Sequence, residues 1–323
     1  MDTMSILQLL VTSSLMYSTP LILTAIAGTF SERSGVVNIG LEGIMVMGAF
    51  ASAVFNLLFH ETFVAMNLGA FTPWISMLVG GFVGILFSVL HAVATVNLRA
   101  DHVVAGTALN LLAPGLAVFL VRVMFGKAQT GPLAQSFGIT SIPILKDIPV
   151  IGKIFFTSVT PLGYLAIILG FVSWFILFKT PFGLRLRAVG EHPVAAETVG
   201  INVYLYKYAG VLISGFLGGM GGAIQAQAIS NEFGVLVISG QGFMAMAAMI
   251  FGKWNPIGVT FAAIFFGFAQ SLSRVAHYIP AIENVPVVFL NVLPYVLTIV
   301  ILVAFLGKSE APEALGRPYV KSK

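Results

Sequence analysis

The chain has 323 residues, of which 58% are hydrophobic and 9% charged, with a formal net charge of +4 and a mean hydropathy of +0.99. Soluble domains carry about a quarter charged residues, so a chain this apolar points to the lipid bilayer as its solvent, where the backbone pairs within helices. The absence of cysteine excludes a disulfide framework, a thiolate metal site and a cysteine nucleophile.

Met1-Asp2-Thr3-Met4 has no basic stretch of the secretory kind, so the first apolar segment is expected to be retained as a span. The pattern predicts an all-α, polytopic membrane protein with nine apolar segments, at about 6–29, 36–58, 73–97, 103–124, 159–178, 207–229, 238–252, 257–275 and 286–306. The seventh is short for a full crossing. Loop charge then sets orientation. With the N-terminus outside and the C-terminus in the cytoplasm, Arg33, Arg99, Lys179, Arg185, Arg187, Lys207, Lys253, Lys308, Arg317, Lys321 and Lys323 fall inside. Arg122, Lys127, Lys146, Lys153 and Arg274 fall outside, the bias that cytoplasmic loops show. This use of the basic residues replaces any reading as a nucleic-acid surface. The external loop at about 125–158 contains Pro132, Pro143 and Pro149 and is expected to be irregular.

The chain resembles itself. Gly35–Ala49 matches Gly234–Ala248 at Gly35/Gly234, Val36/Val235, Ile39/Ile238, Gly43/Gly242, Met45/Met244, Met47/Met246 and Ala49/Ala248, with Glu42 opposite Gln241. Pro73/Pro256, Gly84/Gly267 and Asn110/Asn291 follow in the same order. Segments one to four thus repeat as six to nine, with an odd number of crossings between equivalents, which inverts the second copy. The alternative is that Gly/Ala/Met-rich helices resemble one another by composition. Gly80 and Gly84, Gly215 and Gly219, and Gly218 and Gly222 stand four apart, a spacing that suits close helix packing.

No engine is visible. Gly307-Lys308-Ser309 lacks the glycine of a phosphate-binding loop, Leu302 standing in its place. His60, His91, His102, His192 and His277 form no metal or catalytic pattern, and Asp101-His102 reads as an interfacial pair. Polar residues at membrane depth remain as candidates for a solute path: Asn38 and Glu42, four apart; Asn110 and Asn291, followed by Pro114 and Pro294; Gln225 and Gln241; and Phe243 and Tyr295 as stacking faces. Glu42 can equally be a structural acceptor for the glycine-rich turn, and the asparagines can equally be interhelical hydrogen bonds.

The cytoplasmic loop at 179–206 carries Arg185, Arg187, Gly190, Glu191, His192, Pro193, Ala195, Ala196 and Gly200. Pro193 starts and Gly200 ends a short predicted helix over 193–199, either a docking element or one lying on the membrane surface. Gly190-Glu191-His192-Pro193-x-Ala195-Ala196-x-x-x-Gly200-Ile201 resembles the coupling loop of ABC importer permeases of the branched-chain amino acid and simple-sugar group. Ser31–Gly43, Val104–Leu112, Gly242-Phe243, Trp254–Gly258 and Leu293-Pro294-Tyr295 are similar to the nucleoside-type permeases of that group. The resemblance implies a permease in the bacterial cytoplasmic membrane without its own ATPase, moving nucleosides, with a monosaccharide or branched-chain amino acid as the other cargo. It implies a second homologous permease, an ATP-binding subunit holding ATP and Mg in two fused domains, and an external substrate-binding lipoprotein. An ion-coupled secondary transporter is a further reading; it needs an intramembrane acid pair, and Glu42 stands alone. An intramembrane enzyme is another, and the sequence offers no acid/base or metal cluster for it.

Overall fold

Low charge and abundant Leu, Ile, Phe, Ala and Gly leave helices as the way to pair the backbone out of water. The computed structural model describes residues 3–141, 151–276 and 311–320, with a few single positions between these stretches, and its regular elements are helices. In chain order they are α1 (Thr3–Arg33), α2 (Leu41–Ala65), α3 (Thr72–Ala92), α4 (His102–Phe125), α5 (Ile151–Phe155), α6 (Pro161–Lys179), α7 (Pro181–Glu191), α8 (Pro193–Thr198), α9 (Val203–Ile224), α10 (Gln241–Phe251) and α11 (Pro256–Val275). Wide π-turns extend α3 over Val93–Asn97 and α9 over Gln225–Ser230.

The ends of these helices follow local chemistry. Asp101 accepts from the amides of Val103 and Val104 and caps α4. Asn202 and Asn255 cap α9 and α11 in the same way. Proline occupies the first turn of α3, α6, α7, α8 and α11, where its missing N–H has no intrahelical acceptor to lose.

Among the described residues, 7 helices are long and apolar enough to cross a membrane. The seventh predicted segment is α10, an 11-residue helix and thus a partial crossing. The ninth, at 286–306, lies largely outside the described residues, including Asn291 and Tyr295. The second begins later than predicted: residues 34–40 form a turn, and α2 starts at Leu41. The 125–158 loop includes the short helix α5, and its first part folds back on residues 231–233.

Equivalent helices of the two repeats run in opposite directions. α1 ends, and α9 begins, at the end of the bundle marked by Arg33; α3 runs toward that end and α11 away from it. The repeats also exchange partners, α3 packing along α9 and α11 along α1. Glycine permits the first of these contacts. A Cβ at Gly84 would collide with the Gly215 carbonyl, one at Gly219 with the Gly80 carbonyl, and one at Gly48 with the Gly219 carbonyl. The predicted small-residue spacing thus lets α2, α3 and α9 touch backbone to backbone.

Candidate functional site

Two breaks define the site, the turn 34–40 before α2 and the segment 231–240 before α10. The helices that follow them meet head to head. The Glu42 carboxylate, in the first turn of α2, accepts from the Gly240 amide at 2.6 Å and the Gly242 amide at 2.7 Å. One side chain thus satisfies two of the free amides at the start of α10 and places its charge at the positive end of that helix. A Cβ at Gly242 would stand 2.6 Å from the Glu42 backbone, so the contact depends on glycine. From the Arg33 end, α10 climbs about 16 Å over its length, roughly half of the ~30 Å hydrocarbon thickness. Glu42 therefore lies near mid-depth, deeper than its position in the second predicted segment indicates. It ties down the glycine turn of the other repeat rather than its own.

The glycine equivalent to Gly242 is held by a different helix. Gly43 donates its amide to Asn110 Oδ1 at 2.8 Å, and Asn110 Nδ2 donates to the Ile39 carbonyl at 2.9 Å. Both amide atoms of Asn110 are committed to the start of α2. Asn38 is buried and donates to Ser214 of α9 at 3.0 Å, while its Oδ1 has no partner among the described residues. Between them the Val37 backbone is clasped by two histidines: its amide donates to His102 Nδ1 at 3.1 Å, and His91 Nε2 donates to its carbonyl at 2.8 Å. The second break is tied less heavily. Gln225 is buried and donates to the Val237 carbonyl at 3.2 Å. Gln241 exchanges hydrogen bonds with Gln270 of α11, at 3.1 and 3.4 Å, joining α10 to its neighbour. Phe243 lies on the other side of α10 and is 48% exposed.

The opposite end of α10 is anchored at Arg33. Arg33 donates to the carbonyls of Trp254 at 3.0 Å and Lys253 at 3.4 Å, and the Trp254 indole donates to Glu32 at 2.6 Å. Lys253 and Trp254 both have left-handed backbones, φ 55° and 52°, a conformation that costs free energy and is held here by those bonds. The Arg33 guanidinium also faces Glu191 at 3.7 Å. Arg33 thus connects the turn between α10 and α11 with the loop at 179–206.

In that loop, α8 covers Pro193–Thr198, and Gly200 follows with φ +84°. Ala196 is buried; His192, Ala195, Val199 and Gly200 are exposed. Gly190 packs so closely on the Arg33 carbonyl that any side chain there would collide with it. Arg187 donates to the Leu177 carbonyl at 3.0 Å and lies over Phe178, and Arg185 donates to the Tyr206 hydroxyl at 3.3 Å. A cleft of about 620 Å³ opens beside α8, lined by Leu184, Arg185, Ala188, Gly200, Asn202 and Tyr206. Residues 311–320 pack against the loop through Ala314 and Tyr319.

The sequence pattern misses Gln270, Ser214, the Glu32–Trp254 pair and the histidine clasp, whose partners lie far apart along the chain. The one signal available for the Glu42–Gly242 contact is the repeat, which aligns Glu42 with the residue beside Gly242.

Inverted repeats whose broken segments meet head to head, the short α10 against the start of α2, define a multi-pass membrane protein of the transporter type. The family profile described as "Branched-chain amino acid transport system / permease component" matches residues 10–306, and the chain belongs to that family. It is 56% identical over all 323 residues to the nucleoside ABC transporter permease protein NupC of Lactococcus lactis, covering 100% of both chains. It is 54% identical, again over 100% of both, to the guanosine ABC transporter permease protein NupQ of Bacillus subtilis. The nucleoside ABC transporter permease protein NupB of the same Lactococcus strain as NupC is 28% identical over 264 residues, 78% of this chain and 69% of that protein.

Proposed function

We propose that this chain is a permease subunit of an ATP-driven importer that carries nucleosides across the bacterial cytoplasmic membrane. The observation that carries the reading is its identity of more than half, end to end, with permeases named for nucleosides and guanosine. A single strain holding both NupC and the more distant NupB supports a second, homologous permease as partner. The remaining partners are an ATP-binding subunit with two fused domains, which binds ATP and Mg, and an external substrate-binding lipoprotein.

The Arg33 end faces the cytoplasm, because Arg99, Lys179, Arg185, Arg187 and Lys253 accompany Arg33 there. The loop carrying α7 and α8 receives the ATPase. When the ATPase pair closes, the loop moves against Arg33, and Arg33 passes that movement to the base of α10. Glu42 and Gln241, partly buried where α10 meets α2, stand beside the path, with Phe243 as a stacking face. Polar amides and a ring suit a neutral base and ribose, bound weakly enough to be released. Asn38, Asn110 and Gln225 position the two breaks.

The test is ATP-dependent uptake of labelled nucleoside into vesicles holding this chain with its neighbouring permease, ATPase and binding protein. Uptake is expected, and is lost when this chain is omitted. Uptake of sugar or amino acid alone would change the cargo. Uptake that persists without the ATPase would overturn the mechanism. Replacement of Glu191 or of Gly200, whose φ disfavours a side chain, is expected to uncouple hydrolysis from uptake; unchanged uptake in both sinks the docking role.

A further inference from the structure

Residues 311–320 belong to the tail that follows the last predicted span. Their contacts are specific. Ala314 is buried and donates its amide to the Gly190 carbonyl at 3.1 Å. The Glu313 amide donates to Glu191 Oε2 at 3.1 Å, and the Glu313 carboxylate faces His192 Nε2 at 3.2 Å. The chain then reverses at Gly316, φ +74°, and the Gly316 amide donates to the Gly35 carbonyl at 3.2 Å. Beyond the reversal, Tyr319 is 6% exposed, in a cluster with Val189 of α7, Ala196 of α8 and Val203 of α9. Its ring meets Tyr204 edge-on at 5.4 Å. Burial, with the Glu197 carboxylate accepting its hydrogen bond, holds the Tyr319 hydroxyl above the ordinary phenol range, so the ring stays neutral.

The segment therefore grips two different parts of the molecule. On one side is the loop read above as the ATPase-docking element. On the other is Gly35, which opens the turn that runs through the clasped Val37 and Asn38 to Gly40 and Glu42. We propose that residues 311–320 form a strap that makes α7 and α8 one rigid body and carries their movement into the turn 34–40, with Tyr319 as its anchor and Glu313 and Gly316 as its two attachments. Tyr319 is a positioning residue here; it lies on the loop, away from the solute. The loop already meets the first repeat at Gly190, which packs on the Arg33 carbonyl and beside Gly35, and through the Arg33 contacts that lead to α10. The strap adds hydrogen bonds from one segment to both Gly190 and Gly35, so that α2 and α10 receive the same stroke at the Glu42 junction. The inference rests on the docking role of the loop and not on the identity of the cargo.

The chain has no cysteine, so a pair introduced as His192→Cys with Glu313→Cys reports on strap and loop without background. In the complete four-component complex a short bifunctional maleimide is expected to bridge the pair equally well in the resting and nucleotide-trapped states. Tyr319→Ala is expected to leave ATP hydrolysis in place while uptake per ATP falls at least about fivefold, with Tyr319→Phe, which keeps the ring, restoring the ratio. A cross-link that forms in one state and is lost in the other overturns the strap, as does a Tyr319→Ala complex with an unchanged ratio. Should Tyr319→Ala fail to assemble, the cross-link alone decides. A complex that hydrolyses ATP and takes up no nucleoside overturns the cargo and leaves the cross-link result standing. A wild-type chain that recruits no ATPase overturns the docking role and the strap with it.

Discussion

Glu42 satisfies amides on a helix 198 residues away in sequence, and it does so near mid-depth, where water is scarce. Removing a buried acceptor leaves its donors unpaired, at about 1–3 kcal/mol for each. Glu42→Ala is therefore expected to lower the melting temperature of the detergent-solubilised protein and to reduce uptake. A wild-type melt would mean that the Gly240 and Gly242 amides find other acceptors. Asn110→Leu tests the equivalent contact in the first repeat, since it strands the Gly43 amide and the Ile39 carbonyl and is expected to destabilise comparably. A third case stands at the base of α10. Trp254→Phe keeps an aromatic ring, though a smaller one, and leaves the buried Glu32 carboxylate without its indole donor. It is expected to cost about 1–3 kcal/mol, read as an earlier melt, and a melt no earlier than wild type would show that the donor is dispensable.

At the level of the helices, the long spans were legible because apolar runs bounded by caps and prolines dictate them. α8 was legible for a related reason, a proline at its start and a glycine after its end. The breaks were legible as gaps but misplaced by a few residues. Val36, Val37 and Ile39, and likewise Ile238, are as apolar as any span, so the predicted segments start at 36 and 238, inside the turns, whereas α2 and α10 start at Leu41 and Gln241. Repeated glycines at Gly43 and Gly242 were the visible trace, and their reason is tertiary, a close approach by another helix. The close packing of α3 on α9 has the same origin and gives a sharp contrast. Gly84→Leu pushes a side chain into the Gly215 carbonyl and is expected to cost more than the 1–3 kcal/mol typical of an overfilled core. Gly115→Leu on α4 meets open space and is expected to be close to neutral. Comparable losses of folded protein in the two variants, measured by size-exclusion yield after heating, would contradict this account of the α3–α9 contact.

Across the whole molecule, inversion would let one binding event at the loop of α7 and α8, in the function proposed above, act on both repeats. α2 and α10 start together near mid-depth and run to opposite ends, so a stroke delivered at the Arg33 end reaches the base of α10 directly and the start of α2 through the turn 34–40. That logic requires the Arg33 end to face the ATPase. Orientation was readable in the sequence only as a bias of lysine and arginine, a bulk property that no single contact fixes. It is open to a direct test, because the chain carries no native thiol. Lys153 and Arg185 are exposed and stand at opposite ends of the bundle. Lys153→Cys is expected to react with an impermeant maleimide added to intact cells. Arg185→Cys is expected to react only after the membrane is opened, and to be shielded when the ATPase is present. Labelling in the reverse order would place the loop of α7 and α8 outside the cell, away from ATP, and would remove the basis for coupling through Arg33.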